Sequence, residues 1–229
     1  MKSIIFDAGP IISLTMNNLL WTLKELKKIY EGKFYITKKV RKELIDIPLE
    51  TKKYKFEALQ ILSLLKENVL EISESSQIDN LTIQLLEKAN HTFKAYGHWI
   101  NIVHFGEISA LAAAIILGSE AIVIDERTTR LLIENQKKLE EILTHKLHTK
   151  IFTDRNNLDQ IKSMSGKLRV IRSVELAAIA YEHGILDKYL ADIPNPEKTL
   201  LESVLWGVKI SGCAVSKDEI DEMMRIEGK

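Results

Sequence analysis

The feature that most restricts the fold is the alternation of short apolar segments with longer amphipathic segments. Residues 3–6 predict a short buried strand, and Ala121–Ile124 are apolar throughout. Continuous apolar runs of this length are typical of parallel strands that are covered on both faces. The segments between and after them have helical periodicity. This order predicts a three-layer α/β fold with a central parallel sheet flanked by helices.

Hydrophobic periodicity and capping residues predict the remaining elements. In chain order these are a helix from Pro10 to about Tyr30, a strand at 34–36, a helix after Thr37, a helix over 52–67, a strand at 69–72, a helix over 78–92, a loop with Tyr96, His98, Trp99 and His104, a helix over 105–117, helices within 127–165, a strand at 168–171, a helix from Ser173 to His183, and helices after Asn195 and Ser216.

Composition excludes several classes of protein. Lys plus Arg and Asp plus Glu both number 32, so the bulk charge does not favour a general nucleic-acid binder, although a local patch can still bind one. The single cysteine, Cys213, excludes an intrachain disulfide and a cysteine-based zinc site. The longest apolar run, 108–117, is shorter than the ~20 residues of a membrane span. The first residues lack the pattern of a signal peptide, so we expect a cytoplasmic protein with no membrane partner.

Four acidic residues stand where a predicted strand ends or a predicted helix begins: Asp7, Glu43, Glu107 and Asp125. In open α/β sheets, ligands bind at the carboxyl ends of the strands. Converging carboxylates repel one another unless a cation neutralises them, and oxygen ligands favour Mg²⁺ or Mn²⁺. The sequence therefore predicts a divalent-metal site suited to phosphodiester hydrolysis.

Each of these acids also has a structural explanation. Asp7 and Asp125 stand where a carboxylate can cap the helix that follows. Glu107 lies in the first turn of a helix, where the helix dipole favours negative charge. Glu43 taken alone is an ordinary surface residue, although it borders the buried face of its helix. The sequence leaves the structural and the metal-binding interpretations open.

Three other classes of site lack a required residue. Phosphatases of the haloacid-dehalogenase type also begin with an apolar strand and Asp, but they need a second Asp where this chain has Gly9. Ser165-Gly-Lys is followed by Leu168 and lacks the upstream glycine of a phosphate-binding loop. The chain has no Gly-x-Gly-x-x-Gly segment, so a dinucleotide cofactor has no support.

The segments around the four acids resemble the PIN-domain superfamily of metal-dependent nucleases, especially its VapC-like prokaryotic members. In order, the segments are Ile4-Ile-Phe-Asp7-Ala-Gly-Pro, Ile36-Thr-Lys-Lys-Val-Arg-Lys-Glu43-Leu, Gly106-Glu107-Ile-Ser-Ala-Leu-Ala and Ile122-Val-Ile-Asp125-Glu-Arg. Residues 169–176 resemble the closing strand and helix of the family. Ile124 and Glu126 depart from the pattern, because family members often have a polar residue and a second Asp there. A second metal position is therefore left open.

The resemblance implies a PIN-like, Rossmann-like domain over residues 1–190. Because the family domain is usually shorter, residues 131–167 are expected to form a helical insertion and residues 191–229 a helical C-terminal extension. It also implies that Asp7, Glu43, Glu107 and Asp125 are the catalytic residues and hold one or two Mg²⁺ or Mn²⁺ ions. The residues expected to contact the substrate are Ser13, Lys39, Lys42, Arg127 and Arg130.

The expected activity is that of an endoribonuclease acting on single-stranded RNA, because the family mostly cuts RNA; the residues themselves do not separate RNA from DNA. The resemblance further implies a homodimer, and an antitoxin or another protein as partner, with toxin and processing roles both open. The loop with Tyr96, His98 and Trp99 either stacks on unpaired bases or packs locally. The alternative from another class is a non-catalytic PIN-like module that binds RNA or protein and uses its acids structurally.

Overall fold

The computed structural model describes residues 2–166 and 168–227. The strands in this part of the chain are β1 (Ser3–Phe6), β2 (Lys33–Thr37), β3 (Glu71–Ser73), β4 (Phe93–Ala95), β5 (His98–Trp99), β6 (Ala121–Val123), β7 (Phe152–Thr153) and β8 (Arg169–Ile171). The α-helices are α1 (Ala8–Met16), α2 (Thr22–Tyr30), α3 (Lys38–Arg41), α4 (Ile47–Glu50), α5 (Lys55–Lys66), α6 (Ser76–Asn90), α7 (Phe105–Ile116), α8 (Arg127–Glu134), α9 (Gln136–Leu147), α10 (Arg155–Ser165), α11 (Ser173–Glu182), α12 (Pro196–Ile210) and α13 (Lys217–Glu227). A π-helix over Lys42–Asp46 joins α3 to α4, and a 3-10 turn covers Asp187–Tyr189.

Five of the strands form one parallel sheet in the order β3-β2-β1-β6-β8. The central strand β1 pairs with β2 and β6, and Phe6 lies opposite both Ile36 and Val123. These three strands therefore end at the same level of the sheet. The sheet confirms the predicted central parallel architecture.

The sheet lies between two apolar clusters because its side chains alternate between the two faces. Ile4 and Phe6 pack into one cluster with residues from α1, α2, α5 and α11. Ile5 and Ile122 pack into the other, where α6, α7, α8, α9 and α10 contribute. Helix α7 is buried on every side from Ile108 to Ala114, as its apolar composition predicts. The molecule thus has the three layers that the sequence predicts.

The predicted single helix from Pro10 to Tyr30 is wrong, because the chain breaks between α1 and α2. Asn18 has a φ of 54°, which is a left-handed conformation that asparagine tolerates better than most residues. The Asn17 side chain donates to the Ser13 carbonyl at 2.7 Å and thereby satisfies a carbonyl in the last turn of α1. The apolar pair Leu19 and Leu20 continues the helical pattern across the break, which is why periodicity conceals it.

A second, antiparallel sheet of β5, β4 and β7 was not predicted. The expected loop after residue 92 is a hairpin, and its turn residues Tyr96 and Gly97 both have positive φ, at 52° and 84°. Two-residue hairpin turns need this backbone shape, but Tyr-Gly lacks the Asn or Asp that usually announces it. Strand β7 pairs with β4, so the expected helical insertion over 131–167 also contains a short strand.

The helices α12 and α13 pack on α11 through a third apolar cluster that includes Leu201, Leu205 and Ile220. Arg172 links α13 to α11 through two ion pairs. Its guanidinium pairs with Glu175 of α11 and, at 2.8 Å, with Glu219 of α13. The predicted helix after Ser216 is present as α13, and it begins with a capping box in which Ser216 and Glu219 exchange side-chain to backbone hydrogen bonds. Helices α12 and α13 lie within the expected helical extension over residues 191–229, of which residues 228 and 229 lie outside the described part of the chain. The domain boundary at residue 190 stays a prediction.

Among the described residues, no helix combines the length and the apolarity needed to cross a bilayer.

Candidate active site

The carboxyl ends of β1 and β6 place the first and fourth acids side by side. Asp7 directly follows β1, and its N–H donates to the Val123 carbonyl of β6 at 3.0 Å. Asp125 follows β6 by two residues. Gly9 lies between the two acids: a β-carbon built on it would be 3.5 Å from the β-carbon of Asp125 and 3.7 Å from Oδ2 of Asp7. The expectation that these two acids sit on neighbouring strand ends is confirmed.

Asp7 is buried, with 6% of its surface exposed, and stands just before α1. Its side chain makes no capping hydrogen bond, so the simple capping explanation does not account for it. Burial raises the pKa of Asp7 to about 7, and the charges of Glu107 and Glu43 add to the increase. The nearby N–H groups of Ala8 and Gly9 offset part of it. Three of the predicted acids therefore lie close enough for their charges to repel one another.

Glu43 approaches the beginning of α7 from an exposed position. A β-carbon built on Gly106 would lie 3.3 Å from Oε2 of Glu43. The Glu43 carboxylate therefore lies next to the residue that precedes Glu107. The predicted cap Thr37 is confirmed, since its hydroxyl accepts from the Val40 N–H at 3.2 Å. Glu43 belongs to the π-helix rather than to a regular α-helix. Such π-helical turns are rare in proteins, and those that occur are often found at functional sites.

Glu107 is the third residue of α7 and serves two purposes. Its Oε2 accepts from the His104 N–H at 3.0 Å and from the Thr129 hydroxyl at 3.2 Å. Burial raises the pKa of Glu107, the charge of Glu126 adds to this, and the two hydrogen bonds oppose it. The predicted structural role at the helix start is thus present, and it leaves Oε1 of Glu107 for another ligand.

Asp125 is almost completely buried and is held by three donors. Its Oδ2 accepts from the hydroxyls of Ser13 at 2.8 Å and Ser173 at 2.6 Å, and its Oδ1 accepts from the Ser173 N–H at 2.7 Å. Asp125 does not cap α8, because Glu126 does so through the Thr129 N–H. Ser173 was missed from the sequence; its position at the first residue of α11, directly after the last strand, was the available signal.

The C-terminal region also reaches Asp125. The Ala214 N–H donates to the Asp125 carbonyl at 3.1 Å. Burial raises the pKa of the neighbouring Cys213 thiol to about 12, and the charge of Asp125 contributes to the increase. Cys213 is itself buried. Residues well outside the strand ends therefore hold the fourth acid in place.

The residues expected to contact substrate are distributed unevenly. Ser13 is buried and its hydroxyl is used on Asp125, so it positions an acid rather than facing solvent. Lys39, Lys42 and Arg127 are exposed. Arg130 lies 3.6 Å from Glu134, and its buried Nε has no hydrogen-bond partner within the described residues. An unpartnered guanidinium N–H is a donor that a phosphate oxygen can satisfy.

The aromatic loop before Glu107 is packed locally. The Tyr96 hydroxyl donates to the Leu147 carbonyl at 2.7 Å. The Trp99 ring packs edge-on against His91 and Phe152, with centroids 5.6 and 6.3 Å away. Of the two interpretations of this loop, local packing is the one that its contacts favour.

The four acids fit a hard divalent cation by their chemistry, since they offer only oxygen ligands and the charges of Glu107 and Glu43 act on the buried Asp7. As the side chains stand, however, no group of three or more His, Cys, Asp or Glu residues in the described part of the chain is close enough together to hold a metal ion. The hydrogen bonds that turn Asp125 towards Ser13 and Ser173 are one cause of this arrangement.

The fold and the site define an α/β protein with buried acids at the carboxyl edge of a parallel sheet. A family model described as a PIN domain matches residues 3–140, which is more than half of the chain. The chain belongs to the PIN-domain family. Neither the curated proteins nor the solved structures contain a match to it. PIN domains are usually nucleases, and those nucleases generally use divalent metals.

Proposed function

We propose that this protein is a divalent-metal-dependent endoribonuclease whose active site comprises Asp7, Glu43, Glu107 and Asp125. The observation that carries the proposal is the burial of Asp7 among like charges, which raises its pKa to about 7. A structural carboxylate is normally placed where its charge is stabilised, whereas this one is destabilised until a cation arrives. Perturbed acids in such positions are typical of functional sites.

In this proposal Asp7, Glu43, Glu107 and Asp125 would hold Mg²⁺ or Mn²⁺. When bound, the ion lowers the pKa of a water and neutralises charge on the leaving oxygen. Ser13 and Ser173 fix the orientation of the Asp125 carboxylate by donating to its Oδ2. The His104 N–H and the Thr129 hydroxyl fix Oε2 of Glu107 in the same way. These positioned acids reduce the reorganisation that the reaction requires.

The substrate in this proposal is single-stranded RNA. Lys39, Lys42 and Arg127 are exposed cations that would contact phosphates near the site, and the partly exposed side chain of Arg130 would contact one of them. Charged side chains of this kind position the strand without reading its sequence. We further propose a cytoplasmic homodimer of VapC-like type that acts as a toxin or a processing nuclease, with an antitoxin or another protein as partner.

A non-catalytic PIN-like module is the second candidate. The observation that favours it is the complete bonding of Asp125, whose two carboxylate oxygens already accept three hydrogen bonds. Such a carboxylate stabilises the junction of β6, α1 and α11 without any metal. In this case the surface, rather than the acids, would bind RNA or a protein.

Cleavage of a labelled single-stranded RNA separates the two candidates. We expect cutting with Mn²⁺ or Mg²⁺, no cutting in chelator, and loss of cutting in Asp125→Asn, whose amide preserves the size of the side chain. The control is Asp192→Asn, because Asp192 is exposed and remote in sequence from the acids. Cutting by Asp125→Asn would contradict the nuclease proposal. So would a wild type that does not cut RNA at all and whose RNA affinity is unchanged by chelator and by Asp125→Asn.

A further inference from the structure

A cavity of about 200 Å³ adjoins the acids on the side of Glu43. Its walls come from α1, the π-helix, α4, the residue before α5 and α5 itself. They include Ile12, Thr15, Met16, Glu43, Tyr54 and Glu57. At ~30 Å³ per water, the volume equals about seven waters. It is smaller than the ~300–1,000 Å³ typical of pockets for larger ligands. The cavity therefore has room for one planar ring system but not for a whole nucleotide.

The segment that borders this cavity combines exposed cations with exposed aromatic rings. Residues 52–56 read Lys-Lys-Tyr-Lys-Phe, and all five side chains are exposed. Tyr54 is 48% and Phe56 68% exposed, which is far above the usual exposure of packed rings. Within the described residues, Lys52, Lys53 and Lys55 form no ion pairs, although Lys53 lies 4.7 Å from the Tyr54 ring. By contrast, Lys24 is paired with Glu67 and Lys38 with Glu74.

The backbone holds the Tyr54 ring at the cavity by an unusual conformation. Tyr54 has a φ of 62°, in the left-handed region that bulky residues rarely adopt. An ordinary connection between α4 and α5 would place glycine or asparagine there. Residues held in such a conformation cluster at sites that bind ligands.

The polar atoms in the cavity wall are acceptors. Glu43 and Glu57 are carboxylates, and the Thr15 hydroxyl donates its proton to the Ile11 carbonyl at 2.6 Å, which leaves only its lone pairs. Such a lining favours a ring that presents N–H donors. Adenine, cytosine and guanine carry an exocyclic amine, whereas uracil presents oxygen at that position.

We infer that this cavity is a base-binding subsite for single-stranded RNA. One unpaired base stacks on Tyr54 with its amine towards the carboxylates, while Lys52, Lys53 and Lys55 contact the phosphates that flank it. Because Glu43 belongs both to the cavity and to the acid cluster, the base that occupies the cavity is close to the bond that the acids would cut. The inference rests on the proposed function in taking RNA as the ligand, and it adds a position and a base preference.

The test is binding of short labelled oligoadenylate, oligocytidylate and oligouridylate to the full chain in chelator, where no cutting is required. The stacking variants are Tyr54→Ala and Tyr54→Gly. Glycine adopts the positive φ without strain, so the second variant keeps the backbone shape while removing the ring. We expect both to weaken binding of the adenine and cytosine strands by roughly 5- to 100-fold. Phe152→Ala is the matched control, because Phe152 is an exposed ring of the second sheet.

The phosphate contacts are tested by salt dependence. Replacing Lys52, Lys53 and Lys55 together with glutamine should flatten the slope of log affinity against log salt by up to about 2, since each phosphate contact on a single strand contributes about 0.7. The control replaces three exposed lysines of α9 and changes the net charge equally: Lys137, Lys138 and Lys146. Equal slopes in both triple variants would overturn the phosphate contacts.

Failure of this inference is distinguishable from failure of the proposed function. Loss of binding in the Tyr54 variants together with no metal-dependent cutting by the wild type supports the subsite and refutes the nuclease. Cutting that depends on Asp125 but is unchanged in the Tyr54 variants, with unchanged affinity for all three strands, overturns the subsite alone. A dimer of the wild type that dissociates in Phe56→Ala, with RNA affinity unchanged, would assign the surface to a second copy of the chain and also overturn it.

Discussion

Replacing Asp7 with asparagine removes a buried charge that two other carboxylates repel, so the variant should be more stable than the wild type in neutral, metal-free solution. The cause lies in the folded state alone. Burial, followed by the charges of Glu107 and Glu43, raises the pKa of Asp7 from 3.8 to about 7. In the unfolded chain the same carboxyl is surrounded by water and keeps its ordinary pKa.

The sign and size of the effect follow from proton linkage. The folded protein binds the Asp7 proton more tightly than the unfolded chain does. The contribution of this proton to the stability of the fold is therefore fully present below pH 3.8 and is lost as the pH rises through about 7. The pKa of Asp7 in the folded state lies about 3 units above its ordinary value, and each unit corresponds to about 1.4 kcal/mol in the free energy of unfolding. The free energy of unfolding of Asp7→Asn should therefore exceed that of the wild type by an amount that grows with pH, up to about 4 kcal/mol near pH 8.

Urea unfolding in chelator, followed by circular dichroism at several pH values from 4 to 8, measures this difference. Asp192→Asn is the control, since its exposed carboxylate should give a curve parallel to that of the wild type. Adding Mn²⁺ at pH 7.5 should stabilise the wild type and leave Asp7→Asn nearly unchanged. Parallel pH curves for Asp7→Asn and the wild type would refute the conclusion that Asp7 is buried among like charges.

Three further variants probe how the site is held together. Ser173→Ala removes the 2.6 Å hydrogen bond to Asp125 and should lower the free energy of unfolding by about 1.5–3 kcal/mol in a urea titration; an unchanged midpoint would show that the bond contributes nothing. Gly106→Ala places a β-carbon 3.3 Å from Oε2 of Glu43, so we expect slower RNA cleavage with equal or up to about 1 kcal/mol greater stability. If its cleavage rate equals that of the wild type, Glu43 is not needed where it stands. Arg172→Ala should destabilise the fold by about 2–3 kcal/mol, less than for a fully buried pair because its carboxylate partners are about one-third exposed. Limited proteolysis should then cut α12 and α13 first, and a wild-type digestion pattern would contradict this role.

Local sequence patterns were sufficient to predict the central sheet and the positions of the first and fourth acids. Strand β6 is apolar throughout and β1 is apolar after Ser3, so both predict burial in a parallel sheet. The residues that follow these strands must meet at the edge of the sheet. The start of α7 and the cap at Thr37 were likewise readable, because each depends on residues within one helical turn.

Features that depend on contacts between distant segments were not readable. Ser173 bonds to Asp125 across 48 residues of chain, and nothing near either residue announces the pair. The hairpin at Tyr96 and the break at Asn18 depend on positive φ at residues with only a modest preference for it. The π-helix around Glu43 likewise has no signature in local propensity.

The most direct test of the central claim is a crystal of the protein soaked in Mn²⁺, with anomalous scattering used to locate the ion. We predict an anomalous peak in which Asp7 and at least one of Glu43, Glu107 and Asp125 coordinate the ion, and its loss in crystals of Asp7→Asn. A well-ordered site with no peak, or a peak that persists in Asp7→Asn, would contradict the assignment of these four acids as the metal centre of a nuclease.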